Sequence, residues 1–250
     1  MLFGGHVKSL DDIDYLQHAN FDLGEVVLRS AKARDFWKDS GVTNHGLSGF
    51  FLMAHGPFEG PANDIGNLWK KYYPALRETV DVARMMAIDF LTVHLWVDPR
   101  FVRADVLKEK KRALLDLFNY GCDNDVLVSL ENLSETAEDL ADILDFIPEL
   151  GITLDVGHGQ LLTATNTSFG IMDRLMNSIK HVHLHDNRGG YGVVDDLHLP
   201  IGRGIIDFDG ILRKLLKNGY DGTLTLELVP EDLIASRATV KELLDSIMHV

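Results

Sequence analysis

The sequence predicts an α/β protein folded as a single (β/α)8 barrel over residues 1–250. Three observations predict it. Short β-rich runs alternate with longer amphipathic stretches along the whole chain, eight of each. The runs are apolar on both faces, as parallel strands covered by helices are. No Pro/Gly/Ser-rich linker or break in composition divides the chain. A doubly wound open sheet is the alternative that the same alternation allows. A chain of this length buries roughly 70–75% of its unfolded surface, so no staple is needed to fold it.

The strand–helix units follow in order. Residues 2–6 form a strand and 10–19 a helix; 24–28 and 32–39 follow, then 50–55 and a long helix over 64–87. The fourth unit is 90–95 with 105–119. The fifth strand, 126–131, reads Val-Leu-Val-Ser-Leu-Glu, and Ser134 offers a cap to a helix over 135–147 with Glu135 and Glu138 in its first turn. The sixth unit pairs 152–155 with 169–178. Strand 181–185 precedes a helix over 208–218, which Asp207 starts and Phe208, Ile211, Leu212, Leu215 and Leu216 make amphipathic. Strand 223–228 and a helix over 231–248 close the series. Gly121 and Gly219 are expected to end their helices. Gly202-Arg203-Gly204 lacks the spacing of a dinucleotide fingerprint.

Composition narrows the function classes. With 24 Lys plus Arg against 38 Asp plus Glu, the formal charge is -14, and no basic block is present, which disfavours broad binding to nucleic acid or membrane. The lone Cys122 excludes an intramolecular disulfide and any C-x-x-C site, pointing to a reducing compartment. The start lacks a basic leader, and the longest apolar run, 50–54, is far short of the roughly 18 residues that span a bilayer. The expectation is a soluble, cytoplasmic protein.

Metal-competent residues fall at the ends of nearly every predicted strand: His55, His94, Glu131, Asp155 with His158 three residues on, His183 and His185, and Glu227. In a (β/α)8 barrel those ends converge on one rim. Glu131 and Glu227 end apolar strands, where an unpaired carboxylate faces several kcal/mol of desolvation, and Lys and Arg are scarce at the strand ends. A divalent metal is the economical partner; a buried ion-pair network without metal is the alternative. His181, His183 and His185 share one face by period two. His183 is the preferred ligand, leaving His185 and Asp186 for substrate or support. The long connection 186–204 carries Asp196 and His198, which can fold back over the rim. His18, His45 and His249 are read as surface residues.

The segments His55-Gly56-Pro57, Val93-His94, Ser129-Leu130-Glu131-Asn132, Leu154-Asp155-Val156-Gly157-His158, His183-Leu184-His185-Asp186-Asn187, His198 through Gly204, and Leu226-Glu227 resemble the xylose isomerase-like TIM barrel superfamily. That superfamily includes sugar isomerases and epimerases and the endonuclease IV type of apurinic-site nuclease. The isomerase and epimerase branch implies one divalent ion held by Glu131, Asp155, His183 and Glu227, with Glu131 and Glu227 as the acid/base pair and His158, His185 and Arg188 toward the substrate. The nuclease branch implies three zinc ions on His55, His94, Glu131, Asp155, His158, His183, Asp196, His198 and Glu227. Departures from the nuclease signatures weigh against it. No Cys accompanies the segment from Leu154 to His158, no Lys stands in 186–190 after strand seven, and no Arg stands in 195–197 before His198. Phe58 reads equally as a stacking wedge or as packing under a loop.

The expected function is a metal-dependent isomerase or epimerase of a sugar or sugar phosphate, acting through an enediolate with Zn, Mn, Mg or Co. An apurinic-site nuclease acting on DNA is the alternative, and a barrel that binds metal or ligand without turnover is the third. A small polar substrate, no membrane and a homo-oligomer complete the expectation.

Overall fold

The protein is described by a computed structural model over residues 1–249. Eight parallel strands, β1 (Leu2–Val7), β2 (Leu23–Val27), β3 (Phe51–His55), β4 (Phe90–Val93), β5 (Leu127–Glu131), β6 (Gly151–Asp155), β7 (Ile179–Leu184) and β8 (Thr223–Leu226), pair in chain order. β8 then pairs with β1 and closes the barrel, which excludes the open sheet. The helices are α1 (Leu10–His18), α2 (Ala31–Ser40), a short α3 (Ile65–Asn67), α4 (Tyr73–Met85), α5 (Ala104–Cys122), α6 (Ala137–Phe146), α7 (Ser168–Leu175), α8 (Phe208–Lys217) and α9 (Pro230–Met248). Among the described residues no helix is long and apolar enough to cross a membrane.

Local chemistry sets the helix boundaries. Ser9 and Asp12 form a capping box at α1, Asp207 accepts from Gly210 N at α8, and Pro sits in the first turn of α4 and α9. Three expectations are corrected. Thr136, not Ser134, caps α6, because Thr136 and Asp139 satisfy each other's backbone N–H groups while the Ser134 hydroxyl donates to Asp98. Gly121 does not end its helix; it lies inside α5, where an added Cβ would meet Val126 O at 2.5 Å. The single helix expected over 64–87 is interrupted by a π-helical turn at Leu68–Tyr72. Gly219, with φ +76, follows α8 in the left-handed conformation expected of it.

Strand alternation sorts side chains into two cores. Outward residues such as Val26, Leu52, Leu91, Val128, Leu154, Val182 and Leu224 are buried under the apolar helix faces, among them Leu16, Trp37, Val80, Leu117 and Leu212. Inward residues form layers. Leu23, Met53 and Phe90 plug the bottom. Above them, Thr153 donates to Ser129 Oγ (2.8 Å) and lies 3.1 Å from the Thr92 hydroxyl, with Glu25, His181 and Thr225 buried in the same interior. The polar residues at the strand ends stand on this base.

Candidate metal centre

The closed register brings every strand-end residue to one mouth. His55, Glu131 and Asp155 end β3, β5 and β6, His94 and Glu227 lie one residue past β4 and β8, and His183 is the penultimate residue of β7. All six are buried, Glu131 at 1% exposure. His183 Nδ1 is the meeting point: it lies 3.0 Å from Glu227 Oε1, 3.3 Å from Glu131 Oε1 and 3.7 Å from Asp155 Oδ2. His55 Nε2 is 3.3 Å from Glu131 Oε2 and 3.7 Å from Glu227 Oε1. Just beyond the strand ends, His158, His185, Asp196 and His198 form a second group. Asp155 joins the two, with Oδ1 3.2 Å from His185 Nε2.

The tautomers test whether these residues fit a cation. A carbonyl can only accept, so the ring nitrogen facing it carries the proton. His55 Nδ1 donates to Gly56 O (3.0 Å), His158 Nδ1 to Asn132 O (3.1 Å) and His198 Nδ1 to Glu227 O (2.9 Å). In each neutral ring the other nitrogen then presents a lone pair to a carboxylate: Glu131 Oε2 for His55, and Asp196 Oδ2 for His158 (3.4 Å) and His198 (3.2 Å). Lone pairs facing one another repel unless a proton or cation lies between them. His94 Nε2 approaches Glu131 Oε2 to 2.7 Å without hydrogen-bond geometry. Asp155 Oδ2, Asp196 Oδ1 and both His185 nitrogens are likewise buried with no hydrogen-bond partner. Donor atoms around a tetrahedral ion with bonds of about 2.0–2.1 Å sit about 3.4 Å apart, the spacing found here. The donor set fits divalent cations.

Electrostatics agree with this arrangement. Burial pushes the Glu131 carboxyl upward, but the charges of His94 and His183 override it and hold it well below the usual range. Burial lowers the His183 and His158 pKa, yet Glu25 and Glu227 around the first and Asp155 and Asp196 around the second drive both well above the usual imidazole range. Without a metal, protons on histidine supply the positive charge that the carboxylates require.

The connection after β7 is held by Asp186. Its Oδ1 accepts from Asn187 N (2.9 Å) and Ile206 N (3.3 Å), and its Oδ2 from Gly202 N (3.0 Å) and Gly204 N (2.7 Å). Asp186 also pairs with Leu199 backbone to backbone in both directions. Of the substrate or supporting roles expected for Asp186, these contacts give it one of support, holding the loop that carries Asp196 and His198. An added Cβ on Gly204 would meet Asn187 O at 2.0 Å, which explains that glycine. Asp196 and His198 do fold back onto the rim. His185, expected toward substrate, stacks on His198 with centroids 3.9 Å apart within that group. Arg188 is exposed and makes no ion pair among the described residues. His18, His45 and His249 are exposed, as expected.

Two inward residues escaped the strand-end reading. His6 Nε2 lies 3.0 Å from Glu227 Oε1, and Glu25 lies directly opposite His6 in the register. His6 ends the expected strand 2–6 and Glu25 sits inside an apolar strand, and those are the signals the sequence offers. At the mouth, Phe58 is 57% exposed, tilts against His94 with centroids 5.4 Å apart, and carries the Arg29 guanidinium 4.3 Å above its ring. Arg29 forms no ion pair among the described residues, and its Nε is buried without a hydrogen-bond partner.

Comparison with known proteins places this site in context. Residues 15–248 match the family model described as xylose isomerase-like TIM barrel. An uncharacterized protein of Methanocaldococcus jannaschii, MJ1311, is 30% identical over 214 residues, covering 78% of this chain and 71% of that one. A probable endonuclease 4 of Thermotoga petrophila is 24% identical over 65% of this chain and 60% of its own length. The crystal structure of a D-tagatose 3-epimerase-like protein superposes with a TM-score of 0.80 at 28% identity, covering 100% of this chain and 99% of that one. With the family pattern running through nearly the whole barrel, the chain belongs to the xylose isomerase-like TIM barrel family.

Proposed function

We propose that the protein is a divalent-metal-dependent isomerase or epimerase of a sugar or sugar phosphate, moving a proton beside a carbonyl through an enediolate. One observation carries the reading. The carboxylates of Glu131 and Glu227, from strands three places apart in the ring, converge on His183 Nδ1 at 3.3 and 3.0 Å in a buried mouth. Glu131, Asp155, His183 and Glu227 would hold the ion, with His55 in reach of both glutamates. The chemistry such an ion would supply is polarisation of the carbonyl and hydroxyl oxygens, which would lower the cost of the enediolate. The chain supplies the rest. Glu131 and Glu227 take and return the proton on opposite faces of the substrate carbon, His6 holds Glu227 in place, and Phe58 narrows the mouth. Arg29, cationic and free of carboxylate partners among the described residues, favours an anionic substrate end and hence a sugar phosphate. Full-length coverage by the epimerase-like structure supports this branch.

The test is exchange of the substrate α-proton with deuterated solvent, across ketoses and ketose phosphates, with each of Zn, Mn, Mg and Co. Exchange is expected, and Glu131→Gln and Glu227→Gln should each abolish it. Unchanged exchange in both variants would overturn the reading.

A second reading draws on the group His158, His185, Asp196 and His198. With it, all nine residues of the trinuclear pattern meet at one mouth, an arrangement that suits phosphodiester hydrolysis. Three ions per chain and cleavage at an abasic site, lost in His94→Ala, would favour it; one ion per chain and no cleavage at any metal supplement would remove it.

A further inference from the structure

Glu25 lies at the centre of β2, is 0% exposed, and points into the barrel beneath the mouth. No Lys or Arg touches it among the described residues. Its carboxylate meets only imidazoles: His183 Nε2 at 3.2 Å from Oε1 and 3.0 Å from Oε2, and His181 Nε2 at 3.4 Å from Oε2. His181 is already engaged, with Nδ1 2.6 Å from the Thr223 hydroxyl and Nε2 3.0 Å from the Thr225 hydroxyl. Its ring supplies a dipole to Glu25 but no formal charge while it remains neutral. A buried carboxylate without a counter-charge costs several kcal/mol, so the partner must be reached through His183.

We propose that Glu25 is a positioning residue for the ligand His183. It accepts the Nε2–H, fixes the tautomer and ring orientation that aim Nδ1 at Glu131, Asp155 and Glu227, and is compensated in return by the cation that Nδ1 binds. The inference rests on reading the strand-end cluster as a divalent-metal site. A carboxylate behind a ligating imidazole raises its basicity, and removing such partners typically costs 10–100-fold in metal affinity. The geometry favours this over a separate ion among Glu25, His181 and His183. Such an ion would require His183 to bind on both nitrogens and would displace the Thr225 contact.

The experiment measures Zn and Co dissociation constants of the full chain by competition with a chromophoric chelator. Glu25→Gln, which keeps the shape and an acceptor oxygen but removes the charge, is expected to weaken binding by about 10-fold or more. In a His183→Ala background the same substitution should have no further effect on affinity. An unchanged dissociation constant, or an equal loss in both backgrounds, overturns the proposal while leaving the metal site standing. A wild-type chain that binds neither ion overturns both. If Glu25→Gln fails to fold, imidazole nitrogen NMR of the Zn-loaded wild type decides the matter: a retained Nε2–H on His183 supports the proposal, and a deprotonated or metal-bound Nε2 refutes it.

Discussion

Gly157→Ala tests the packing of the rim apart from its charges. Gly157 has φ -69 and ψ -48, an ordinary helical conformation, so alanine there imposes no backbone strain. The obstacle is a side chain. The new Cβ would lie 2.0 Å from His185 Cε1, 2.2 Å from Nε2 and 2.4 Å from Nδ1. Carbon atoms in contact sit about 3.5–4.0 Å apart, so the imidazole must retreat by about 1.5 Å. Its ring stacks on His198 at 3.9 Å and 12° and the residue is fully buried, so retreat disturbs packing already made. Overpacking of this kind costs about 1–3 kcal/mol, and at about 2–4 °C per kcal/mol for a chain of this size the melting temperature should fall measurably. Calorimetry in chelator reads the effect without metal. His185→Ala opens the space that the Cβ needs, so the double variant should lose less than the two singles combined. Strict additivity, or a Gly157→Ala protein as stable as wild type, would refute the placement of His185.

Three further perturbations follow from buried charges and the open arginine. Lys110 donates to Glu59 Oε1 and to Trp96 O, both at 2.6 Å, and Lys110→Met leaves the largely buried Glu59 carboxylate uncompensated. Urea denaturation should show a loss of about 3–5 kcal/mol, most of it recovered in Lys110→Met/Glu59→Gln. Burial raises the Glu135 carboxyl from 4.5 to about 7 even as Val97 N and Leu133 N donate to it. The folded state therefore holds this proton more tightly than the unfolded chain. Its stabilising contribution is complete below pH 4.5 and declines as the pH rises to about 7, by roughly 3 kcal/mol at 1.36 kcal/mol per unit. The stability curve of Glu135→Gln should lack that decline; parallel curves would contradict it. Arg29→Ala should raise KM for a ketose phosphate about tenfold or more and leave the unphosphorylated ketose unaffected, because it removes a charge-assisted contact at the mouth. Equal effects on both substrates would place the phosphate elsewhere.

Strand-end residues were legible because two simple rules coincide: period-two alternation selects the inward side, and the barrel collects the strand ends at one rim. His55, Glu131, Asp155 and His183 needed nothing more. Glu25 obeys the same alternation but lies below the strand end, and His6 stands beside Glu227, a neighbourhood that only the pairing of β1 with β8 reveals. The role of Asp186 was hidden for another reason. Its partners are backbone N–H groups at 202, 204 and 206, and a loop's return path leaves no periodic trace. The α6 cap is ambiguous in the sequence because Ser134 and Thr136 are chemically equivalent candidates. The choice depends on Asp98, which takes the Ser134 hydroxyl from a neighbouring loop.

The knot that Asp186 ties between residues 186 and 206 bears on how such a protein can change over generations. Both ends of the excursion are fastened, so lengthening the stretch between them costs only loop-closure entropy, about 0.6 kcal/mol for each doubling. The barrel does not register the edit. Yet that stretch carries Asp196 and His198, half of the outer donor group, while His158 and His185 stay with the barrel. The number of donor groups gathered at the mouth is thus inherited separately from the fold. A few inserted or deleted residues would recut that donor set while every strand stayed in register.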